Sequence, residues 1–277
     1  MASTKFSLST KAKLSNGATI PQIQLGLYMM SGREATSSVK WALAAGYRGF
    51  DCAQMYHNES EAGKAIHDFL ASNENTHGLT REDVFYTSKL ASNGTSYDAV
   101  RKSIKSSVKA SGLGYIDLFL LHSPYGGKEA RLTSWKAIED AIDDGEIKLG
   151  GVSNYGSKHI EELMASKPHR RADGIEAPKT CAKYNITIEA YAPLARAMRM
   201  KHPRIIQLSK KYSCSPAQLL VRWSLRHNMV TLPKSSRKER LVENANVNGF
   251  EISDEDMAAM NALDENLVTD WDPTDAP

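Results

Sequence analysis

The stretch YRGFDCAQMYHNESEAGKAIHDFLASNENTHGLTREDVFYTSKL, residues 47–90, decides the fold. Two short runs rich in aromatic and β-branched residues, 47–53 and 84–90, enclose a helical stretch over 59–71. That is the βαβ pattern of two parallel strands and a covering helix. The same alternation extends both ways. Upstream, IQLGLYM (23–29) precedes a helix near 34–45. Downstream come a helix over 97–111, IDLFLLHS (116–123), a helix near 131–143, IKLGGVS (147–153) and a helix near 157–165. ADGIE (172–176), ITIEAYAP (186–193), paired helices over about 205–227, MVTLPKS (229–235) and a helix near 238–246 complete the series. Eight strands alternating with helices predict one (β/α)8 TIM barrel across residues 1–277. The segment FSLSTKAKLSNGATIP (6–21) reads as an N-terminal β-hairpin turning at Asn16-Gly17 and plugging the barrel's bottom. Ser215 followed by Gln218, and Asn58 followed by Glu61, have the spacing of helix-capping boxes.

An open doubly wound sheet is the rival α/β architecture. It would carry G-x-G-x-x-G after its first strand, whereas the nearest candidate, Gly112-Leu113-Gly114, precedes a strand and lacks the third glycine.

Composition narrows the function classes. The chain carries 35 basic and 32 acidic residues, interspersed, for a net charge of +3. No single-sign field points to nucleic acid or to a membrane surface. Cys52, Cys181 and Cys214 are too few and too dispersed for a disulfide framework, which suits reduced thiols in the cytoplasm. No window approaches the roughly 20 apolar residues of a membrane helix.

Barrel chemistry is expected where strands end at their C-terminal mouth. Asp51 ends the second strand, with Tyr56 just beyond it; Lys89 ends the third and His122 the fourth. Taken singly, an aspartate or lysine there is most often an ion pair or solvent contact. Taken together, the four fit proton donation coupled to hydride transfer. A tyrosine hydroxyl titrates near pH ~10 in water and is a poor acid unless a neighbour favours its phenolate, as a lysine ammonium does. An aspartate keeps that lysine charged, and a histidine can orient a carbonyl oxygen. No HxH or HExxH spacing occurs among the eight histidines, so no metal site is expected.

In order along the chain, GYRGFDCAQMYHNE, YTSKL, LFLLHSP, GVSNYG, EAYAPL and LPKSSRKERLVEN resemble the successive signatures of the aldo-keto reductase family. The resemblance implies a tetrad of Asp51, Tyr56, Lys89 and His122, with Tyr56 as proton donor. It implies NADPH/NADP+ as cofactor without a Rossmann fold. Ser153 and Asn154 would hold the carboxamide, and Tyr191 would stack on the nicotinamide. Lys234, Ser235, Ser236 and Arg240 would take the adenosine 2′-phosphate, with Asn244 near adenine. The partner implied is a small-molecule carbonyl substrate, and the protein a monomer.

The chain also departs from the family pattern. Only residues 177–185 separate ADGIE from ITIEAYAP, fewer than the dozen a parallel crossover ordinarily needs. The sixth unit thus reads as shortened, with PKTCAKYN (178–185) as a two-turn remnant. The family's strand-six glutamine corresponds here to Gly174. Ala91 stands where relatives place a bulky tryptophan, and Leu27-Tyr28 replaces a more polar pair, which widens the pocket beside Tyr28 and Ala91. Trp271 reads equally as a residue lining the rim or as a packed surface aromatic. The reading is an NADPH-dependent aldehyde or ketone reductase. The alternative is a cofactor-binding regulatory or weakly active barrel impaired in its sixth unit.

Overall fold

A computed structural model describes residues 6–166 and 178–277. The hairpin is present. Strands β1 (Lys11–Lys13) and β2 (Thr19–Pro21) pair antiparallel, and Gly17 takes the left-handed backbone the turn requires, at φ +89°. Parallel strands β3 (Leu25–Gly26), β4 (Gly49–Asp51), β5 (Phe85–Leu90), β6 (Ile116–Leu121) and β7 (Ile147–Val152) follow in sequence order within one sheet. A second parallel pair comprises β8 (Glu189–Tyr191) and β9 (Val230–Leu232). It adjoins β3 through the bridge of Ile23 to Thr231, through Gln24 N–H donating to Thr231 O at 3.0 Å, and through Thr231 N–H donating to Gln22 O at 2.8 Å. Seven strands therefore run in unbroken register from β8 through β9 and β3 to β7. The expected strand ADGIE, with Gly174, lies outside the described residues.

Helices α1 (Gly32–Ala45), α2 (Glu59–Leu70), α3 (Tyr97–Ser111) and α4 (Gly127–Asp143) connect successive strands, and α5 (Ser157–Ala165) follows β7. The short helix expected over 178–185 is present as α6 (Pro178–Tyr184), followed by α7 (Pro203–Lys211), α8 (Pro216–Arg226) and α9 (Lys238–Ala245). A further helix, α10 (Asp254–Asn261), was not anticipated from the pattern. Local chemistry fixes several boundaries. The α1 start has a full capping box between Ser31 and Glu34, its end a left-handed Gly46 at φ 102°, and Ser215 with Gln218 caps α8 as expected. The Asn58 box does not form. That amide is fully buried and spends its donors on Leu27 O at 3.1 Å and Met30 O at 3.0 Å while accepting from the Cys52 thiol at 3.0 Å. Tertiary partners have replaced the local cap.

Strand alternation splits the core in two. Leu118 and Leu120, Leu149, Val230 and Leu232 face one another with Leu14 and Ile20 of the hairpin segment, so the hairpin packs against residues of three different parallel strands. The opposite faces, including Phe50, Tyr86, Phe119 and Val152, pack under the helices against Val39, Ile66, Ile104 and Trp135. Each such fully buried side chain contributes about 1.5–3 kcal/mol of transfer free energy. Close approach of α2 to the end of α3 needs Gly63, where an added Cβ would run into the Ser111 carbonyl.

Candidate active site

Asp51, Lys89 and His122 leave the ends of β4, β5 and β6 on the interior side. Tyr56 joins them from a single 3-10 turn, Gln54–Tyr56, directly after β4. The structure brings all four together. Lys89 Nζ donates to Asp51 Oδ1 at 2.7 Å and Oδ2 at 2.8 Å, to Cys52 O at 2.8 Å, and to the Tyr56 hydroxyl at 3.1 Å. The ammonium also lies 4.8 Å from the centre of the Tyr56 ring. The His122 ring stands edge-on to Tyr56, with centroids 5.7 Å apart.

Burial sets the electrostatics. It disfavours the Lys89 charge, but the Asp51 carboxylate, with Tyr56, more than reverses this and holds the ammonium above its ordinary range. Burial likewise raises the Asp51 carboxyl against the pull of Lys89. The phenol does not behave as the sequence suggested. Desolvation outweighs Lys89 and pushes Tyr56 up to about 12, so the lysine limits the rise and does not make the phenol acidic. Burial first, then the Lys89 charge, push His122 down to about 3, leaving a neutral imidazole whose Nδ1 has no hydrogen-bond partner. A neutral imidazole can donate one N–H to a carbonyl oxygen.

Tyr28, from the loop after β3, tilts over Tyr56 with centroids 5.1 Å apart and donates its hydroxyl to Asp270 at 2.9 Å. Ala91 follows Lys89 and Leu90, its N–H donating to Gln54 Oε1 at 2.8 Å. Sequence reasoning left the role of Trp271 open between rim and packed surface. Its ring meets His122 edge-on with centroids 6.2 Å apart and tilts against Tyr125 at 5.7 Å. Arg196, unforeseen, donates to Thr269 O at 3.2 Å and pairs with Asp270 at 3.5 Å, tying the loop after β8 to the same tail. That loop holds Ala192, Ala195, Arg196 and Ala197 at positive φ, a conformation costing about 1–2 kcal/mol per residue. Nothing local in the sequence signals these contacts, which span 73 to 242 residues.

The residues assigned to a nicotinamide cofactor lie in two groups. Ser153 and Asn154 follow β7. The buried Asn154 donates its amide to His122 O at 2.8 Å and to the Ser153 hydroxyl at 3.1 Å, while its own carbonyl Oδ1 is buried without a partner. An orphaned acceptor of that kind suits a ligand amide. Tyr191 ends β8 and is 40% exposed, so its ring is accessible for stacking. Lys234, Ser235 and Ser236 lie between β9 and α9, Arg240 in the first turn of α9 and the buried Asn244 near its end. Ser235 is buried, its hydroxyl accepting from Arg237 N–H at 3.1 Å, whereas Lys234 and Arg240 are exposed cations. Glu34 shares that corner, held below its ordinary range by Ser31 first and by Lys234 as well. Among the described residues, no three His, Cys, Asp or Glu side chains cluster as a metal site, and no helix is long and apolar enough to cross a membrane.

Comparison with known proteins agrees with this arrangement. Residues 22–265 match the model of the Aldo/keto reductase family. The chain is 42% identical over 281 residues to an uncharacterised oxidoreductase of Schizosaccharomyces pombe, covering 98% of this chain and 99% of that one. It is 36% identical to a glyoxal reductase of Bacillus subtilis over 270 residues, 94% of each chain. Among solved structures, a Bombyx mori aldo-keto reductase in complex with NADP superposes with a TM-score of 0.86 at 29% identity, over 95% of both chains.

Proposed function

The chain belongs to the aldo/keto reductase family, and from that premise we propose that it is an NADPH-dependent reductase of aldehydes or ketones. The observation that carries this reading is the single Lys89 ammonium bonded at once to Asp51 and to the Tyr56 hydroxyl, with a neutral His122 beside them. Bound NADPH supplies the hydride to the carbonyl carbon. His122 orients the carbonyl by donating its N–H to the oxygen. Tyr56 then hands its phenolic proton to that oxygen as negative charge develops there. Lys89 lowers the cost of the phenolate left behind, and Asp51 keeps Lys89 charged in a buried site.

The cofactor residues follow the same logic. Ser153 and Asn154 hold the carboxamide, the orphaned Asn154 Oδ1 supplying an acceptor, and Tyr191 offers a stacking face. Lys234, Ser235, Ser236 and Arg240 receive the 2′-phosphate, which suits a point charge and a guanidinium fork, and Asn244 lies near adenine. Tyr28 and Ala91 line the substrate pocket, and the small Ala91 side chain widens it. The NADP complex of the Bombyx mori relative and the glyoxal reductase name of the Bacillus subtilis relative support the cofactor and the carbonyl class. The fold in this reading is one eight-stranded barrel domain over 1–277 with a shortened crossover before β8, acting as a cytoplasmic monomer.

Stopped-flow oxidation of bound NADPH by a simple aldehyde tests the reading. Tyr56→Phe should lower the rate by about 10²–10⁴-fold while NADPH still quenches protein fluorescence with unchanged affinity. A Tyr56→Phe protein that turns over like wild type sinks it.

A further inference from the structure

Trp271 meets the His122 ring from the C-terminal tail, and its segment is anchored to α4 and α5. His159 on α5 is 1% exposed and uses both ring nitrogens: Gly156 N–H donates to Nδ1 at 3.1 Å, so Nε2 carries the proton and donates to Ala276 O at 2.7 Å. The Arg131 guanidinium on α4 is 5% exposed. Its Nη1 donates to Pro277 O at 2.7 Å and to Pro124 O at 2.8 Å, while Nε and Nη2 hold Glu162. Lys158 donates to Asp275 O at 2.7 Å. Thr274 lies so close over Gly156 that a Cβ there would strike its carbonyl. One guanidinium thus fastens both the tail bearing Trp271 and the loop bearing Tyr125, and those two rings meet beside His122.

We propose that His159 and Arg131 are positioning residues that, through residues 274–277, set the Trp271–Tyr125 wall against His122 and so favour carbonyl substrates with an aromatic ring over small aliphatic ones. The substrate part rests on the reductase reading; the docking part does not. Removing His159 frees the tail at one end, and the aromatic wall loses its fixed place while Tyr56, Lys89 and the cofactor residues keep theirs.

The test compares 4-nitrobenzaldehyde with propanal in His159→Ala, His159→Gln, Trp271→Ala and the His159→Ala/Trp271→Ala double variant. For His159→Ala, the KM for 4-nitrobenzaldehyde should rise about three- to tenfold, the scale of one aromatic contact. Its kcat, the kcat/KM for propanal and the NADPH affinity should stay put. His159→Gln, which can still donate to Ala276 O, should recover most of the loss. In the Trp271→Ala background, His159→Ala should add nothing, because both changes remove the same wall. An equal loss on both aldehydes, or a full further rise in the double variant, overturns the proposal. Amide hydrogen exchange of residues 270–277 reads the docking without turnover. It should be faster in His159→Ala, and unchanged exchange overturns the proposal even if the reductase reading itself has failed for want of any NADPH oxidation.

Discussion

A lysine ammonium has three protons, and Lys89 faces four acceptor atoms: both Asp51 oxygens, the Cys52 carbonyl and the Tyr56 hydroxyl. Such a group is oversubscribed, which fixes its place and keeps it charged. The four residue types at the strand ends were legible in the sequence, because barrel position and chemistry select them together. The balance of their energies was not, since desolvation depends on what surrounds Tyr56 and pushes it up to about 12. His122 offers a check. Its folded-state value of about 3 lies below the ordinary 6.5, so as pH falls through that window the unfolded chain takes up a proton that the folded chain refuses. Stability contributed by the neutral imidazole is therefore present above pH 6.5 and lost progressively towards pH 3, up to about 5 kcal/mol at ~1.36 kcal/mol per unit. The buried Asp51 and Glu59 carboxyls, both raised mainly by burial, act with the opposite sign. Comparison with His122→Gln, which keeps them, isolates the histidine. Between pH 7 and 4.5, wild type should lose about 2–3 kcal/mol more than His122→Gln in urea unfolding.

At the scale of elements, α1, α2 and α3 were readable because their apolar faces recur with helical period; the structure adds that Ser31 with Glu34 and the left-handed Gly46 close α1 locally. Asn58 shows where that logic fails. Its side chain serves Leu27, Met30 and Cys52, partners that sequence spacing does not reveal, and it ties the loop carrying Tyr28 to the end of β4. The tail is the larger case. Its contacts to Tyr28, Arg131 and His159 join residues 117 to 242 positions apart, and no periodicity encodes them. Packing between α2 and α3 yields a cleaner expectation. Gly63→Ala would drive a methyl into the Ser111 carbonyl, backbone that cannot swing aside. Urea unfolding should show a loss of about 2–3 kcal/mol, the scale of overpacking a tight contact. A neutral result would mean the helices can separate there at no cost.

For the whole molecule, cofactor binding should be visible as stability. A ligand that binds only the folded chain adds about 2.7 kcal/mol at a hundred times its Kd. NADPH should therefore raise Tm more than equimolar NADH, and Lys234→Ala with Arg240→Ala should erase the difference; equal shifts in the unaltered protein would count against the phosphate assignment. The alternation of strands and helices was legible in the sequence, and the ladder joins seven of the expected strands in parallel order. The seam between Ile23 and Thr231 has a consequence for biosynthesis. Roughly 200 residues separate those two partners, so the segment leading into β3 leaves the ribosome long before the strand that will cover its free edge exists. At about 5–20 residues per second, that edge stays open on the nascent chain for ten seconds or more. An open edge is a template for wrong pairing. Yield during overexpression should accordingly depend on chaperone supply and growth temperature more than the finished protein's stability would suggest.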